Sequence, residues 1–160
     1  MNTSAPVLAQ TVTKGASGLP LPRFVSLKSR RVNLRIGPSK DYAVEWRYMR
    51  SGIPMEIIQE YDHWRRVRDP DGTEGWIHKS LLTGERTAII APWKRGTDYV
   101  FVTLRQRPLL SADTVAMLEP GVVVGIDECN GQWCLGEVQG ASGWVPQDEI
   151  WGVYPGEAFR

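Results

Sequence analysis

The chain has 160 residues, with 19 Lys and Arg against 18 Asp and Glu. This balance disfavours nucleic acid as a partner, because phosphate neutralisation requires a strongly basic surface. The sequence contains no run of eighteen apolar residues, so no membrane span is predicted. The halves differ, however: residues 23–87 hold 13 basic and 9 acidic residues (net +4), and residues 88–160 hold 5 and 9 (net −4). This charge difference has three possible interpretations: two ordinary solvated surfaces, a basic half that meets an anionic partner, or mutual attraction of the halves.

Residues 1–22 contain one charge and no aromatic residue, and are rich in small residues and proline. Such a segment lacks the apolar surface needed to offset its ordering entropy, so we predict a disordered leader or linker. Residues 5–10 resemble the end of a signal peptide, with Val7 and Ala9 at the small-residue positions, but the basic and apolar segments that normally precede it are missing. A signal-peptide remnant and an ordinary flexible start both remain possible.

The first half then alternates short β-prone runs with Gly, Pro and Asp turns. The predicted strands are residues 24–27, 32–35, 54–59, 64–68 and 75–78. Residues 43–49 fit a helix, a strand or a loop. Five short strands joined by such turns predict a small β-barrel over residues 24–84.

The second half repeats the first. Val32–Pro38 recurs as residues 102–108, and Gly52, Trp64 and Gly75-Trp76-Ile77 recur in the same order at an offset that drifts from 70 to 68. This pattern indicates a duplicated module, with further strands predicted at residues 100–105, 122–128, 133–138 and 143–145. We expect the second barrel over residues 98–153, a connector at 85–97 and a tail at 154–160. The connector is too apolar for a free linker, so the barrels should pack together.

Cys129 and Cys134 admit two hairpin registers. A two-residue turn leaves the cysteines on a diagonal, too far apart for an unstrained bridge, whereas a four-residue loop places them opposite each other. We predict the four-residue loop and a disulfide, worth roughly 2 kcal/mol, which implies an oxidising compartment. A metal site here would lack two ligands. Glu60 and Arg65 hold the aligned positions of the first unit and predict a surface ion pair.

Several motifs of the first unit follow one another in a familiar order: residues 33–39 (NLRIGPS), Gly52, Asp62-His63-Trp64 and residues 71–77 (DGTEGWI). They resemble the bacterial SH3 domain, closely over residues 24–84 and more loosely over 98–153, and in particular small exported alphaproteobacterial proteins with two such domains. The resemblance implies an all-β fold of two tandem, five-stranded SH3-like barrels, used as cell-wall binding modules without catalysis.

The second unit departs from this pattern. Thr103 replaces Asn33, Arg107 replaces Gly37, and Gly136 stands where the first unit has Val67. We therefore expect ligand binding in the first barrel, and the sequence leaves open whether the second barrel binds anything.

Trp64 is predicted to face outward, because Val67, three residues later on the same strand, fits the core. Aromatic and basic side chains near it in the barrel plan could form a shallow groove for an acidic peptide. The candidate ligand-binding residues are Tyr42, Tyr48, Tyr61, Trp64, Arg66 and Arg68. His63 and His78 form no catalytic or metal signature, so we predict no enzyme activity, no metal and no cofactor.

These features predict a periplasmic or secreted binding protein that recognises a peptidoglycan peptide or glycopeptide through barrel 1. The alternative is an adaptor that binds a loop or extended segment of another envelope protein.

Overall fold

The computed structural model describes residues 13–160 as an all-β chain. Residues 1–12, with the segment that resembles a signal peptide, lie outside the described residues. Residues 13–22 differ from the predicted disorder, because β1 (Thr13–Lys14) and β2 (Pro20–Leu21) form an antiparallel hairpin. The turn of this hairpin is held by Ser17, whose hydroxyl donates to Glu60 at 2.9 Å. Helical segments within residues 13–160 are single 3₁₀ turns, and none could cross a membrane.

The first module is one curled antiparallel sheet. Its strands are β3 (Arg23–Leu27), β4 (Val32–Arg35), β5 (Val44–Tyr48), β6 (Pro54–Tyr61), β7 (Trp64–Arg68), β8 (Glu74–His78) and β9 (Leu82–Thr83). They are ordered β5-β4-β8-β7-β6-β3-β9 across the sheet. All five predicted strands of this half lie within these elements, and the segment at residues 43–49 forms strand β5.

The second module repeats this plan. Its strands are β10 (Thr87–Ile90), β11 (Val102–Arg105), β12 (Thr114–Leu118), β13 (Val123–Asn130), β14 (Trp133–Val138), β15 (Ala141–Pro146), β16 (Ile150–Trp151) and β17 (Ala158–Phe159). The order β12-β11-β15-β14-β13-β10-β16 matches the first sheet element for element, and β17 adds to the end of β13. The predicted pair of tandem SH3-like barrels is confirmed.

The division between the barrels differs from the predicted one. Thr87–Ile90, expected within a connector, is a strand of the second sheet and pairs with both β13 and β16. It holds the place that β3 holds in the first sheet. The physical reason is burial: Ala88, Ile89 and Ile90 are at most 3% exposed, and all three positions belong to the packed interior of the protein.

The two barrels are packed against each other. The ring of Phe24 lies 5.1 Å from that of Trp151 and 4.5 Å from that of Tyr154. The Tyr154 hydroxyl donates to Glu56 Oε2 at 2.8 Å, and Thr87 Oγ1 donates to the carbonyl of Gly52 at 2.6 Å. Aromatic packing and crossing hydrogen bonds therefore join the modules directly.

The disulfide between Cys129 and Cys134 is present. The two cysteines are directly opposite in the β13–β14 ladder, with Cα atoms 4.1 Å apart. The Asn130 side chain closes the intervening loop by accepting hydrogen bonds from the backbone amides of Gln132 and Trp133 at 2.9 and 2.8 Å. The predicted register and disulfide are confirmed.

The aligned position in the first module contains the predicted ion pair, but it is not on the surface. Arg65 Nε lies 3.0 Å from Glu60 Oε2, and the Glu60 side chain is only 2% exposed. Arg23 reaches the same carboxylate at 3.3 Å. Burial raises the pKa of Glu60, but hydrogen bonds from Ser17 and the charges of Arg65 and Arg23 outweigh it, so this pKa lies below its ordinary value. The pair was predicted to be exposed because the β1–β2 hairpin, whose Ser17 contacts Glu60, was not predicted.

Candidate functional site

The predicted arginines of strand β7 are already paired within the protein. Arg66 Nη2 lies 3.2 Å from Glu74 Oε2, and Arg68 lies 2.9 Å from both Glu74 Oε1 and Glu56 Oε1. These neighbours hold the pKa of Arg68 above its ordinary value, chiefly through its hydrogen bond to Glu74. A ligand carboxylate would have to displace an existing partner, so Arg66 and Arg68 are not free cations.

Tyr48 is buried in the core of the first barrel and borders a cleft between the two barrels. Its side chain is 6% exposed and its hydroxyl donates to Asp69 Oδ2 at 2.7 Å. Burial, followed by this hydrogen bond, raises its pKa. The Asp69 carboxylate also accepts hydrogen bonds from the amides of Asp71 and Thr73 and thereby closes the β7–β8 turn. Tyr48, the last residue of β5, lies opposite buried Val32 in the β4–β5 ladder.

The other two predicted tyrosines are exposed but lie apart. Tyr42 is 47% exposed, and its ring packs so closely over Gly37 that a Cβ there would lie 2.5 Å from the ring. Tyr61 is 61% exposed and pairs with Trp64 at the β6–β7 hairpin. The six predicted residues therefore do not form one surface.

Trp64 lines a small cleft on the first barrel, which we call the basic groove. The groove has a volume of about 200 Å³ and is lined by Arg31, Asn33, Arg35, Lys40, Trp64, His78 and Leu81. It lies between strand β4 with the loop after it, the β7–β8 ladder and the following 3₁₀ turn. Of the six predicted ligand-binding residues, Trp64 is the one that lines it.

The cations of the basic groove have no acidic partner within residues 13–160. Arg31 and Lys40 are exposed, and neither forms an ion pair among residues 13–160. Arg35 is fixed in place because its Nη1 donates to the carbonyls of Lys40 and Tyr42 at 3.2 and 3.0 Å. This contact also holds the loop that presents Lys40. The groove therefore combines a positioned guanidinium with two cations that form no ion pair in the described part of the chain.

His78 lies edge-on to Trp64, with ring centroids 5.3 Å apart. Its Nδ1 accepts the backbone N–H of Ser80, so the neutral ring carries its hydrogen on Nε2. Burial lowers the pKa of His78, and the positive charges of neighbours, first His63 and then Lys40, lower it further. A neutral imidazole beside uncompensated cations is suited to receive an anion.

Lys40 and Arg35 line the groove but were not among the predicted site residues. Lys40 is 24 positions from Trp64, and the two become neighbours only because the loop after β4 folds back on itself, with Tyr42 N donating to Ser39 O and Ile36 N to Ala43 O. A comparison of the two repeats could have identified Lys40, because the aligned residue of the second unit, Leu110, carries no charge.

A second cleft, of about 470 Å³, lies between the barrels. Trp46 and Met49 border it and are 59% and 58% exposed. Its charges are mixed, and Arg95 spans it to Asp71 at 3.0 Å. The cleft is therefore partly closed by the protein's own ion pair.

Two SH3-like barrels, one with a basic aromatic groove, define the class of this protein. The comparison with protein families matches the bacterial SH3 domain to residues 28–84 and again to residues 98–152. The chain belongs to this family.

Similar solved structures include two titled NlpC2 and NlpC1 from Trichomonas vaginalis. They are 12% and 13% identical, cover 81% and 89% of this chain and 48% and 50% of their own, and have TM-scores of 0.35. A third is an NlpC/P60 family protein from Bacillus cereus, with 9% identity, 80% and 55% coverage and a TM-score of 0.35. The chain spans about half the length of these proteins. No match was found among curated proteins.

Proposed function

We propose that the chain is a non-catalytic binding protein of the cell envelope that recognises a carboxylate-bearing peptidoglycan peptide or glycopeptide in the basic groove of barrel 1. The observation that carries the proposal is the distribution of free charge. Arg31 and Lys40 form no ion pair among the described residues, whereas Arg66 and Arg68 are held by internal glutamates. A ligand carboxylate would meet unpaired cations in this groove.

The ligand pose follows from the groove. Arg35 and Lys40 would hold the carboxylate, since an arginine whose position is fixed binds a planar anion with a small ordering cost. The face of Trp64 would cover the adjoining sugar or peptide unit, because an aromatic face provides apolar contact area with few rotatable bonds. The neutral His78 would donate a hydrogen bond from Nε2.

The remaining parts of the proposal concern location and chemistry. The Cys129–Cys134 disulfide supports an oxidising compartment, so the location is periplasmic or secreted. Both cysteines of the chain are consumed in this bond, which supports a binding role over thiol-based cell-wall hydrolysis.

The test is co-sedimentation with purified peptidoglycan sacculi. Wild-type protein should pellet with sacculi, K40A and W64A should pellet far less, and binding should weaken with salt. R66A is the matched control, because it removes a basic side chain of the same barrel that is already paired with Glu74. Failure of the wild type to pellet, or equal losses in K40A and R66A, would refute the proposal.

A second measurement locates the ligand. Soluble muropeptides with free carboxylates should raise the pKa of His78, followed by NMR of its ring protons, and their amidated counterparts should raise it less. Binding that leaves His78 unchanged would place the ligand outside the basic groove and contradict the proposed site.

A further inference from the structure

The second barrel contains a cleft that overlaps the position of the basic groove in the first. It has a volume of about 550 Å³, and we call it the second groove; it is lined by Leu110, Gly131, Gln132, Trp133, Pro146, Gln147, Asp148, Glu149, Pro155 and Gly156. Trp133 pairs with Pro146 across β14–β15 as Trp64 pairs with His78 across β7–β8.

The loops around the two grooves are built alike. Gln147 N donates to the carbonyl of Gln132 at 2.9 Å, as Lys79 N donates to that of His63 at 2.8 Å. Arg105 Nη1 donates to the carbonyl of Ala112 at 3.0 Å, as Arg35 does to that of Tyr42. Leu110 therefore stands where the basic groove has Lys40. The two grooves therefore share four positions of the duplicated module, which the second barrel fills with Leu110, Trp133, Pro146 and Glu149.

The side chains at the matching positions of the two grooves differ in charge and polarity. Lys40 and His78 are replaced by Leu110 and Pro146, and the exposed Asp148 replaces Ser80. Leu110 is 74% exposed beside the half-buried ring of Trp133. The second groove is thus apolar where the first is basic.

The rim of the second groove is acidic. Asp148 forms no ion pair among residues 13–160, whereas Glu149 is held by Lys94 at 3.0 Å. The half of the chain that contains this groove has a net charge of −4. This charge complements a cationic ligand and repels the anionic ligand proposed for the basic groove.

The walls of the second groove are fixed before any ligand binds. The Cys129–Cys134 disulfide holds the hairpin that presents Trp133. On the other side, Glu157 accepts two hydrogen bonds of 2.9 Å from Arg86 and holds the tail at Pro155 and Gly156 in place. A preformed site loses little conformational entropy on binding.

We infer that the second groove is a separate binding site for an extended peptide segment with aliphatic side chains next to lysine or arginine. The aliphatic side chains contact Leu110 and Trp133, and the cation lies at Asp148. The site extends beyond the proposed function, because it lies on the other barrel and takes ligands of the opposite charge.

The probe is a fluorescein-labelled peptide of three leucines followed by two lysines, and fluorescence anisotropy measures its binding to the full chain. L110K should weaken binding by about tenfold, since it removes an apolar contact and adds a like charge. D148N should weaken it by about threefold at low salt and less at high salt. The same peptide with two glutamates should bind more weakly than the lysine peptide.

Two matched variants serve as controls. L109K adds the same charge one residue away, at a side chain that is 48% exposed and does not line the groove, and should bind like wild type. K40Q removes a charge from the basic groove without adding an aliphatic side chain and should leave binding of the lysine peptide unaffected. The inference is overturned if L110K and L109K bind equally, if the glutamate peptide binds as tightly, or if wild type shows no binding below about 1 mM.

Discussion

The close approach of strands β4 and β8 predicts that barrel 1 does not tolerate a methyl group at Gly75. A Cβ built there lies 2.5 Å from Leu34 Cγ and 2.9 Å from the carbonyl oxygen of Arg35. Ordinary contacts between carbon atoms are about 3.5–4.0 Å, and Leu34 is fully buried, so it has no solvent to move into. We expect G75A to cost about 1–3 kcal/mol through overpacking.

Urea unfolding followed by tryptophan fluorescence measures this cost. With a slope of about 1–3 kcal/mol per molar urea, the unfolding midpoint should fall by roughly 1 M. G143A should do the same in barrel 2, where a Cβ would lie 2.6 Å from Leu104 Cγ. G84A is the control, because a Cβ at Gly84 has no neighbour within 4 Å. If G75A unfolds at the same midpoint as G84A, the close approach of β4 and β8 does not limit packing.

Three further predictions concern the module interface, the buried carboxylate and the disulfide. F24A should destabilise the protein by about 3–5 kcal/mol, because it removes an almost buried ring between the barrels, and urea unfolding should separate into two transitions; a single unshifted transition would contradict the packed interface. The lowered pKa of Glu60 means that the unfolded state binds its proton more readily, so this carboxylate stabilises the fold above its ordinary pKa of about 4.3 and loses that effect as pH falls further. E60Q should therefore show a smaller loss of urea midpoint than wild type between pH 6 and pH 3, and equal losses would argue against it. Replacing Cys129 and Cys134 by serine should lower stability by about 2 kcal/mol in thermal unfolding, and a variant that melts with wild type would show that the loop is ordered without the bond.

The strands and the disulfide were predictable because they depend on neighbours in the sequence. Alternation and turn residues identify β4 and β7, and the hairpin register fixes the partner of Cys129 by simple counting. The duplication gave the same information twice. Local pattern was therefore sufficient for the strands that carry Trp64 and Trp133, but not for β10, which was assigned to the connector.

The charges of the site were not predictable in the same way. In a sequence, an arginine on a strand gives the same pattern whether or not a carboxylate lies beside it in the fold. The glutamate partners of Arg66 and Arg68 depend on strand register and side-chain rotamers. Similarly, Tyr48 has the aromatic character of a groove residue, but its position opposite Val32 places it in the core. Which polar groups remain unpaired is a property of the folded molecule.

The two barrels differ in the volume and charge of their side chains at matching positions. In barrel 1 the ring of Tyr42 needs the space that Gly37 leaves open, and in barrel 2 the aligned pair is Ala112 and Arg107. Barrel 2 can therefore have Arg107 in place of glycine, because Ala112 has no aromatic ring that needs this space. The backbone N–H of the buried Ala112 donates to the carbonyl of Leu109 and keeps the loop closed. Because this exchange preserves the loop, position 40 and its counterpart at 110 could change from cation to aliphatic side chain without refolding the groove. Duplication thus supplied one backbone for two grooves, which differ in a few exposed side chains.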